Sequence, residues 1–339
     1  MGGLLLGWRI IAGLKPGVGV DDRQVLALLA AGPLPAAQLA RALGLSGQAV
    51  AARMAGLQAA GVALQHDGSH WQLLQPPDLH DVRRIDQALL APVRASLAGL
   101  EVLWQVDSTN SELLRRPVPV EGFQVLLAEQ QTAGRGRRGR SWVSPLARHL
   151  YLSLACGFEQ GITAMTGLSL AVGVLVAEAL RDAGVAGAGL KWPNDVLING
   201  QKLAGILVES RGRAQGPAQA VVGIGLNVHG GDGIQAGIDQ PWTALDAHQP
   251  APLQRDAVAA LLLNALLPGL QQFQQHGLAA FSARFAAVDL LCGRDIWINE
   301  NGQQRPARAI GLAADGALRV LDQAGEHCVH AGDVSVRKQ

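Results

Sequence analysis

The chain is poor in cysteine, in lysine and in net charge, and each shortage removes a class of protein. Cys156, Cys292 and Cys328 are its only cysteines, lie far apart and form no Cys-x-x-Cys pair. That excludes a disulfide framework and a cysteine-built zinc site, and it points to a reducing cytoplasm. Lysine plus arginine number 28 against 27 aspartate plus glutamate, a formal charge of +1. No overall field therefore draws the chain to nucleic acid or anionic lipid, and any such partner needs a local patch. Long apolar runs are also missing. The longest, residues 167–177, stops at Glu178, short of the roughly 20 residues that cross a bilayer, and reads as a buried core helix with no membrane partner. Residues 1–20 contain two apolar runs, but Arg9 interrupts them and neither a basic leader nor a small-residue cleavage site frames them. They read as an N-terminal extension.

Against these shortages stand 339 residues with 49% hydrophobic content, enough for two or three domains. Helices are expected over residues 22–31, 35–43 and 46–60, followed by strands 62–64 and 71–74 about a two-residue Asp67-Gly68 turn. Pro33, Pro35 and Gly44 separate the helices, and Ser46 suits a helix cap. The outline is that of a winged helix-turn-helix, or of a small helical unit used for packing or dimerisation. Its third helix carries one basic residue, Arg53, where a duplex reader offers several. Pro76-Pro77 and the polar stretch 78–86 read as a linker. Beyond it strands alternate with helices. Strands are expected at 102–106, 124–128, 150–158, 196–199, 204–209 and 220–227, an apolar helix at 168–182, and a helical stretch at 256–288 broken at Pro268-Gly269. Residues 293–337 change to period-two segments with turns at Asn301-Gly302, Asp315-Gly316 and Ala324-Gly325, a small antiparallel barrel or sandwich.

Three clusters carry chemistry, and a fourth is commonplace alone. Residues 134–140 read Gly-Arg-Gly-Arg-Arg-Gly-Arg, too many guanidiniums for a core segment. The run is either a solvated basic loop or an anion site whose fork-shaped cations suit phosphate and carboxylate. Gly134-x-Gly136-x-x-Gly139 also matches a dinucleotide fingerprint. That fingerprint needs a helix starting in the glycines, and Pro145 followed by a strand leaves no room for one. Lys191-Trp192-Pro193-Asn194-Asp195 opens a strand hairpin that continues to Lys202 and Gly205. Lys202 is accounted for by a surface hairpin. Lys191, one of only four lysines and placed beside a tryptophan, is harder to explain that way. Asp107-Ser108-Thr109-Asn110 is by default a helix cap. Gly223 to Asn227 ends a strand at a glycine-rich turn.

In type, order and separation these clusters resemble those of the biotin protein ligases, in particular the bifunctional members that carry an N-terminal winged helix and act as biotin operon repressors. The likeness spans about residues 22–337. It implies an α+β protein with an N-terminal winged helix-turn-helix at 21–77, a central mixed-sheet α/β ligase domain at 78–290, and a small C-terminal SH3-like β-barrel at 291–339. It further implies that biotin and ATP give biotinoyl-5'-AMP and pyrophosphate, and that the acyl group passes to a lysine of the biotin carboxyl carrier protein of acetyl-CoA carboxylase. By motif, Ser108, Thr109, Asn110 and Gln131 face the biotin head. The backbone at Arg135, Gly136 and Arg137 closes over the ureido group and tail, and Trp142 stands nearby. Lys191 lies beside the carboxylate, and Lys191 with Arg137 is the catalytic pair. Arg135, Arg137, Arg140, Asn227 and Trp242 serve the nucleotide, with Mg2+ adding positive charge and no protein metal ligand assigned. Fixed charge is the main requirement, because two anions must meet at the alpha-phosphorus. The glycine-rich stretch 230–242 would close on the adenylate. Asp195 either takes part in transfer to the acceptor amine or caps the hairpin, and Trp142 and Trp242 are either ligand walls or core. Operator DNA and a homodimer are further implied partners. A non-catalytic biotin-sensing regulator and a nicotinamide-dependent oxidoreductase are the competing readings.

Overall fold

A computed structural model describes residues 22–231, 240–249, 253–300, 303–330 and 334–338. Helices α1 (Asp22–Ala30), α2 (Ala36–Leu43) and α3 (Gly47–Ala59) stand with a three-stranded sheet of β1 (Leu34–Pro35), β2 (Leu64–His66) and β3 (His70–Leu73). Gly44 ends α2 at φ 63, and the Ser46 hydroxyl accepts the Ala49 N–H at the start of α3. The β2–β3 turn lies one residue later than expected. Asp67 stands at its first corner, where its carboxylate accepts the N–H groups of Ser69 and His70.

The polar stretch expected to be a linker is partly buried. His80 is 5% exposed, its N–H donates to Glu129 Oε1 and its ring meets Asp256 at 2.8 Å. The fully buried Arg255 donates to Asp78 O, Glu129 and His149 O. Buried charge survives only where it is paired in this way. Helices α4 (Val82–Ala88) and α5 (Ala91–Ala95) follow.

The central sheet has strands β4 (Leu97–Val106), β5 (Phe123–Gln131), β6 (Leu150–Phe158), β7 (Gly189–Lys191), β8 (Asp195–Ile198), β9 (Gln201–Gly212) and β10 (Ala218–Leu226). Their order is β4-β5-β6-β10-β9-β8-β7, with β4 parallel to β5 and the other pairs antiparallel. Alternation on β6 sorts its side chains. Leu150, Leu152, Leu154, Cys156 and Phe158 join the main core with α7 (Leu168–Asp182) and α8 (Arg255–His276), whereas Tyr151 and Ser153 face the other side. Helix α6 (Thr109–Arg115) covers part of that second face over Leu126, Ala155 and Val221.

One expectation about the helices holds and one is corrected. Residues 162–182 form a helical stretch long and apolar enough to cross a membrane, but most of it is buried, with α7 packed on α8. The stretch after 255 does not break at Pro268-Gly269. The helix runs through because Leu266, Leu267 and Leu270 are buried, and a Cβ on Gly269 would stand 2.4 Å from Leu175 Cδ1. Gly269 thus serves close helix packing, and the helix ends at Gly277, with α9 (Ser282–Val288) beyond. The C-terminal sheet is antiparallel, with β11 (Asp295–Glu300), β12 (Gln303–Leu312), β13 (Leu318–Asp322), β14 (Gly325–Val329) and β15 (Val334–Lys338) in the order β14-β13-β12-β11-β15. The expected Asn301-Gly302 turn lies outside the described residues.

Candidate active site

The sheet face away from α7 and α8 is hollow where side chains are missing. Gly205 of β9 pairs with Gly225 of β10, and Gly223 and Gly225 lie opposite Ser153 and Tyr151 of β6. The expected turn at 223–227 is therefore corrected, since both glycines lie inside β10 and form a floor. A Cβ on Gly225 would stand 2.4 Å from Trp142 Cε2, and one on Gly205 3.0 Å from Cζ3. Bare backbone is what admits the indole. Above the floor is a cavity of ≈ 280 Å³.

One end of the cavity is polar and uncharged. Ser108 sits at the N-cap position of α6, yet its side chain makes no capping bond, which corrects the default reading and leaves it facing the cavity. The Thr109 N–H donates to Gln131 Oε1 at 2.9 Å, the Thr109 hydroxyl lies 3.2 Å from the same oxygen, and Gln131 Nε2 donates to Ser144 Oγ at 3.1 Å. Asn110 lies beside them. A Cβ on Gly223 would stand 2.3 Å from its Oδ1, so that glycine makes room for the amide.

The arginine loop forms the next wall. Arg135 and Ser141 form an isolated bridge, the Gly136 N–H donates to Arg140 O at 2.7 Å, and the Trp142 N–H donates to Gly134 O at 2.9 Å. A single 3-10 turn, Arg137–Gly139, closes the tip, with Arg138 at φ 58 and Gly139 at φ 70. No α-helix starts in these glycines, so the dinucleotide reading lacks its structural requirement. Arg137 Nη1 donates to Asn194 Oδ1 at 3.5 Å. Burial first, then the guanidinium of Arg138, push its pKa below the usual arginine value, while Asp195 opposes and Arg140 adds to the lowering. A bound anion would remove that like-charge penalty.

The Lys-Trp-Pro-Asn-Asp hairpin is the third wall. Trp192 is 2% exposed and its Nε1–H donates to Gly316 O, in the turn between β12 and β13. Asn194 is tied to Ile206 by two bonds. Asp195 meets Lys202 Nζ at 2.7 Å, and that ammonium lies 5.4 Å from the centre of the Trp142 ring. Lys191 is the register partner of Asp195, but it is not among the cavity-lining residues, whereas Lys202 is. Lys202 thus joins the expected residues as a side chain on the cavity wall. The signal for Lys202 was available: an Asn199-Gly200 turn between two short strands folds it back toward Asp195.

Asn227 and Trp242 complete the ring. Asn227 Nδ2 donates to Lys202 O and Thr243 O, and the Trp242 ring stands 6.1 Å from His149 at 73°. His149 lines the cavity uncharged, because burial, and after it the charge of Arg255, lower its pKa to about 3. Sequence reasoning missed His149, Tyr151 and Asn194, whose placement depends on strand register. Most of the 230–242 stretch expected to close the site, residues 232–239, lies outside the described residues. Of the residues expected at the site, Ser108, Thr109, Asn110, Gln131, Arg135, Gly136, Arg137, Arg140, Trp142, Asn227 and Trp242 line this one cavity, and Lys191 does not.

A neutral polar end and a cationic end thus share one face of a mixed sheet in an α+β protein. Residues 103–227 match the Biotin/lipoate A/B protein ligase family. The chain is 36% identical over 304 residues to the bifunctional ligase/repressor BirA of Escherichia coli strain K12, covering 89% of this chain and 92% of that one. It is 33% identical to the biotin-[acetyl-CoA-carboxylase] ligase of Paracoccus denitrificans, over 69% of this chain and 98% of that one. Its fold is similar to the biotin protein ligase from Aquifex aeolicus in complex with biotin and ATP, with a TM-score of 0.62 and 27% identity over 71% of this chain and all of the other. The chain belongs to the biotin protein ligase family.

Proposed function

We propose that the chain activates biotin with ATP to biotinoyl-5'-AMP and transfers the biotin to a lysine of the carboxyl carrier domain of acetyl-CoA carboxylase. The observation that carries this reading is the meeting of Arg137, Lys202 and the Ser108–Gln131 group in one cavity. The neutral hydroxyls and amides, held in place by one another and with Ser108 making no capping bond, form an uncharged polar end that suits a ureido ring. Arg137, Arg140 and Lys202 supply fixed charge where the biotin carboxylate attacks the alpha-phosphorus, the new C(O)–O–P bond forms and pyrophosphate leaves. Asn227 and Trp242 serve the nucleotide end. Lys191, the cross-strand partner of Asp195 and so on the same face of the sheet, adds its charge at the carboxylate end. Asp195, held by Lys202, is oriented to receive the proton of the acceptor amine, which is mostly protonated at neutral pH. Mg2+ bound to the ATP phosphates would add positive charge beside Arg137 and Arg140. Among the described residues no group of three His, Cys, Asp or Glu forms a metal cluster, and an ion that keeps its waters and phosphate oxygens needs none.

The N-terminal helices and small sheet, 21–77, fit a winged helix-turn-helix, the region 78–290 a catalytic domain, and the sheet of 291–339 an SH3-like barrel. Cytoplasmic location follows from the free cysteines and from the carrier substrate. Repression of biotin genes by a homodimer on operator DNA is the second activity, favoured by the names of the bifunctional relatives. Arg53, the one basic residue of α3, is ion-paired with Asp22, so phosphate contacts from that helix are few. Mass spectrometry after mixing the protein with biotin and Mg-ATP should detect the acyl-adenylate, and labelled biotin should then reach a carrier domain. Absence of the adenylate would overturn the ligase reading. A gel shift on DNA upstream of biotin genes, with both ligands present, tests repression.

A further inference from the structure

Glu209, the last residue of the Lys-Leu-Ala-Gly-Ile-Leu-Val-Glu run on β9, has no part in the chemistry above, yet two walls of the cavity meet on its carboxylate. Its Oε2 accepts from Asn110 Nδ2 and from Arg135 Nη2, each at 2.9 Å. Asn110 Nδ2 also donates to Leu207 O at 3.2 Å, and Asn110 Oδ1 stands 2.7 Å from the hydroxyl of the fully buried Ser153. Two acceptors on one side fix the amide nitrogen there. Asn110 Oδ1 can only accept, so the single Ser153 proton is directed to it. Ser153 Oγ is also 2.7 Å from Thr109 Oγ1; with the Ser153 proton on Asn110, the Thr109 hydroxyl donates to Ser153 and the Thr109 N–H carries the link to Gln131 and Ser144. A hydrogen-bonded chain thus leaves the arginine loop at Arg135, crosses the cavity floor and returns to the loop's far arm at Ser144.

We propose that Glu209 is a positioning residue for ligand binding. It fixes the Asn110 amide, and through Ser153 the Thr109 hydroxyl, and it anchors the Arg135 side chain so that the loop backbone stands over the pocket. Both donor hydrogens of Asn110 are committed to Leu207 and Glu209, so Asn110 relays order and presents no N–H to the ligand. Arg135 acts through its backbone while its guanidinium remains paired. The inference rests on the ligase reading and is tested separately from it.

Adenylate formation is measured in the full chain and in Glu209→Ala, Glu209→Gln and Glu209→Asp, together with tryptic cleavage at the loop arginines. If the unchanged chain makes no adenylate, the ligase reading fails first. With an active parent, Glu209→Ala should raise the biotin KM about tenfold and leave the ATP KM within about twofold. Loop cleavage should accelerate. Glu209→Gln keeps an acceptor for Asn110 but loses the charge that holds Arg135, so it should restore much of the biotin KM and leave loop cleavage fast. Should Glu209→Ala fail to fold, Glu209→Gln against Glu209→Asp gives the same split. Biotin KM and loop cleavage both unchanged, or kcat and both KM values altered together, would overturn the proposal.

Discussion

The arginine loop and the Lys-Trp-Pro-Asn-Asp hairpin face each other across one cavity and are held in opposite ways. The loop hangs on a few backbone bonds, and its Arg135, Arg138 and Arg140 are exposed. The hairpin is part of the central sheet, with Trp192 buried and pinned to Gly316 of the C-terminal unit. One wall therefore supplies charge already in place, and the other supplies charge that can be brought in over a ligand. Preorganised charge lowers a barrier without reorganisation at the moment of reaction, and mobile charge admits substrate and excludes water afterwards.

The sharpest break in this comparison is on the fixed side. Lys202→Ala should lower the rate of adenylate formation by about 10²–10³-fold, as removal of one preorganised donor does. Lys191→Ala should lower it by at least about tenfold, because that lysine is the cross-strand partner of Asp195; a larger loss for Lys191 than for Lys202 would make Lys191 the main fixed charge, as the sequence motif implies. On the mobile side, Arg137→Ala should raise the ATP KM about tenfold to a hundredfold with a smaller effect on the biotin KM, measured by initial rates. An equal loss in kcat alone would place Arg137 with the fixed charges.

The anchor of the hairpin gives the next effect. Trp192→Phe removes the indole donor and leaves Gly316 O without it, which should cost about 1–3 kcal/mol of stability, read as a lowered melting temperature. Arg138→Ala, at the exposed tip of the loop, should leave melting unchanged within about 0.5 kcal/mol. A matching loss in Arg138→Ala would mean that the loop is built into the fold as firmly as the hairpin.

Much of the scaffold was legible from local pattern. Strand 150–158 and helix 168–182 occur at the expected bounds because alternation and an unbroken apolar face are encoded residue by residue. What failed depended on contacts distant in sequence. Pro268-Gly269 looks like a break until Leu175 is known to lie against Gly269. Gly223 and Gly225 look like a turn until Asn110 and Trp142 occupy the space that they leave. The polar stretch 78–86 looks like a linker until Glu129 and Arg255 meet it. The arginine and tryptophan motifs announced the site, but the place of Lys202 on the cavity wall required the register of β8 on β9, which no single segment contains.

A neutral residue beside Trp242 gives an effect that appears only as pH falls. His149 has a folded-state pKa of about 3 against 6.5 when unfolded, burial being the main cause. A base whose folded pKa is depressed contributes stability that is present above pH 6.5 and is lost as pH falls toward 3, since only the unfolded chain takes up the proton in that window. The loss from this one group should approach about 1.4 kcal/mol per pH unit below pH 6. Burial lowers the pKa of His80 as well, so its contribution has the same sign. Chemical denaturation at pH 7 and pH 5 should therefore show a smaller difference in His149→Gln than in the unchanged chain. An equal difference would mean that His149 can take up a proton inside the fold. The wall beside Trp242 would then share the adaptability of the arginine loop, and the contrast between the two sides would narrow to the hairpin alone.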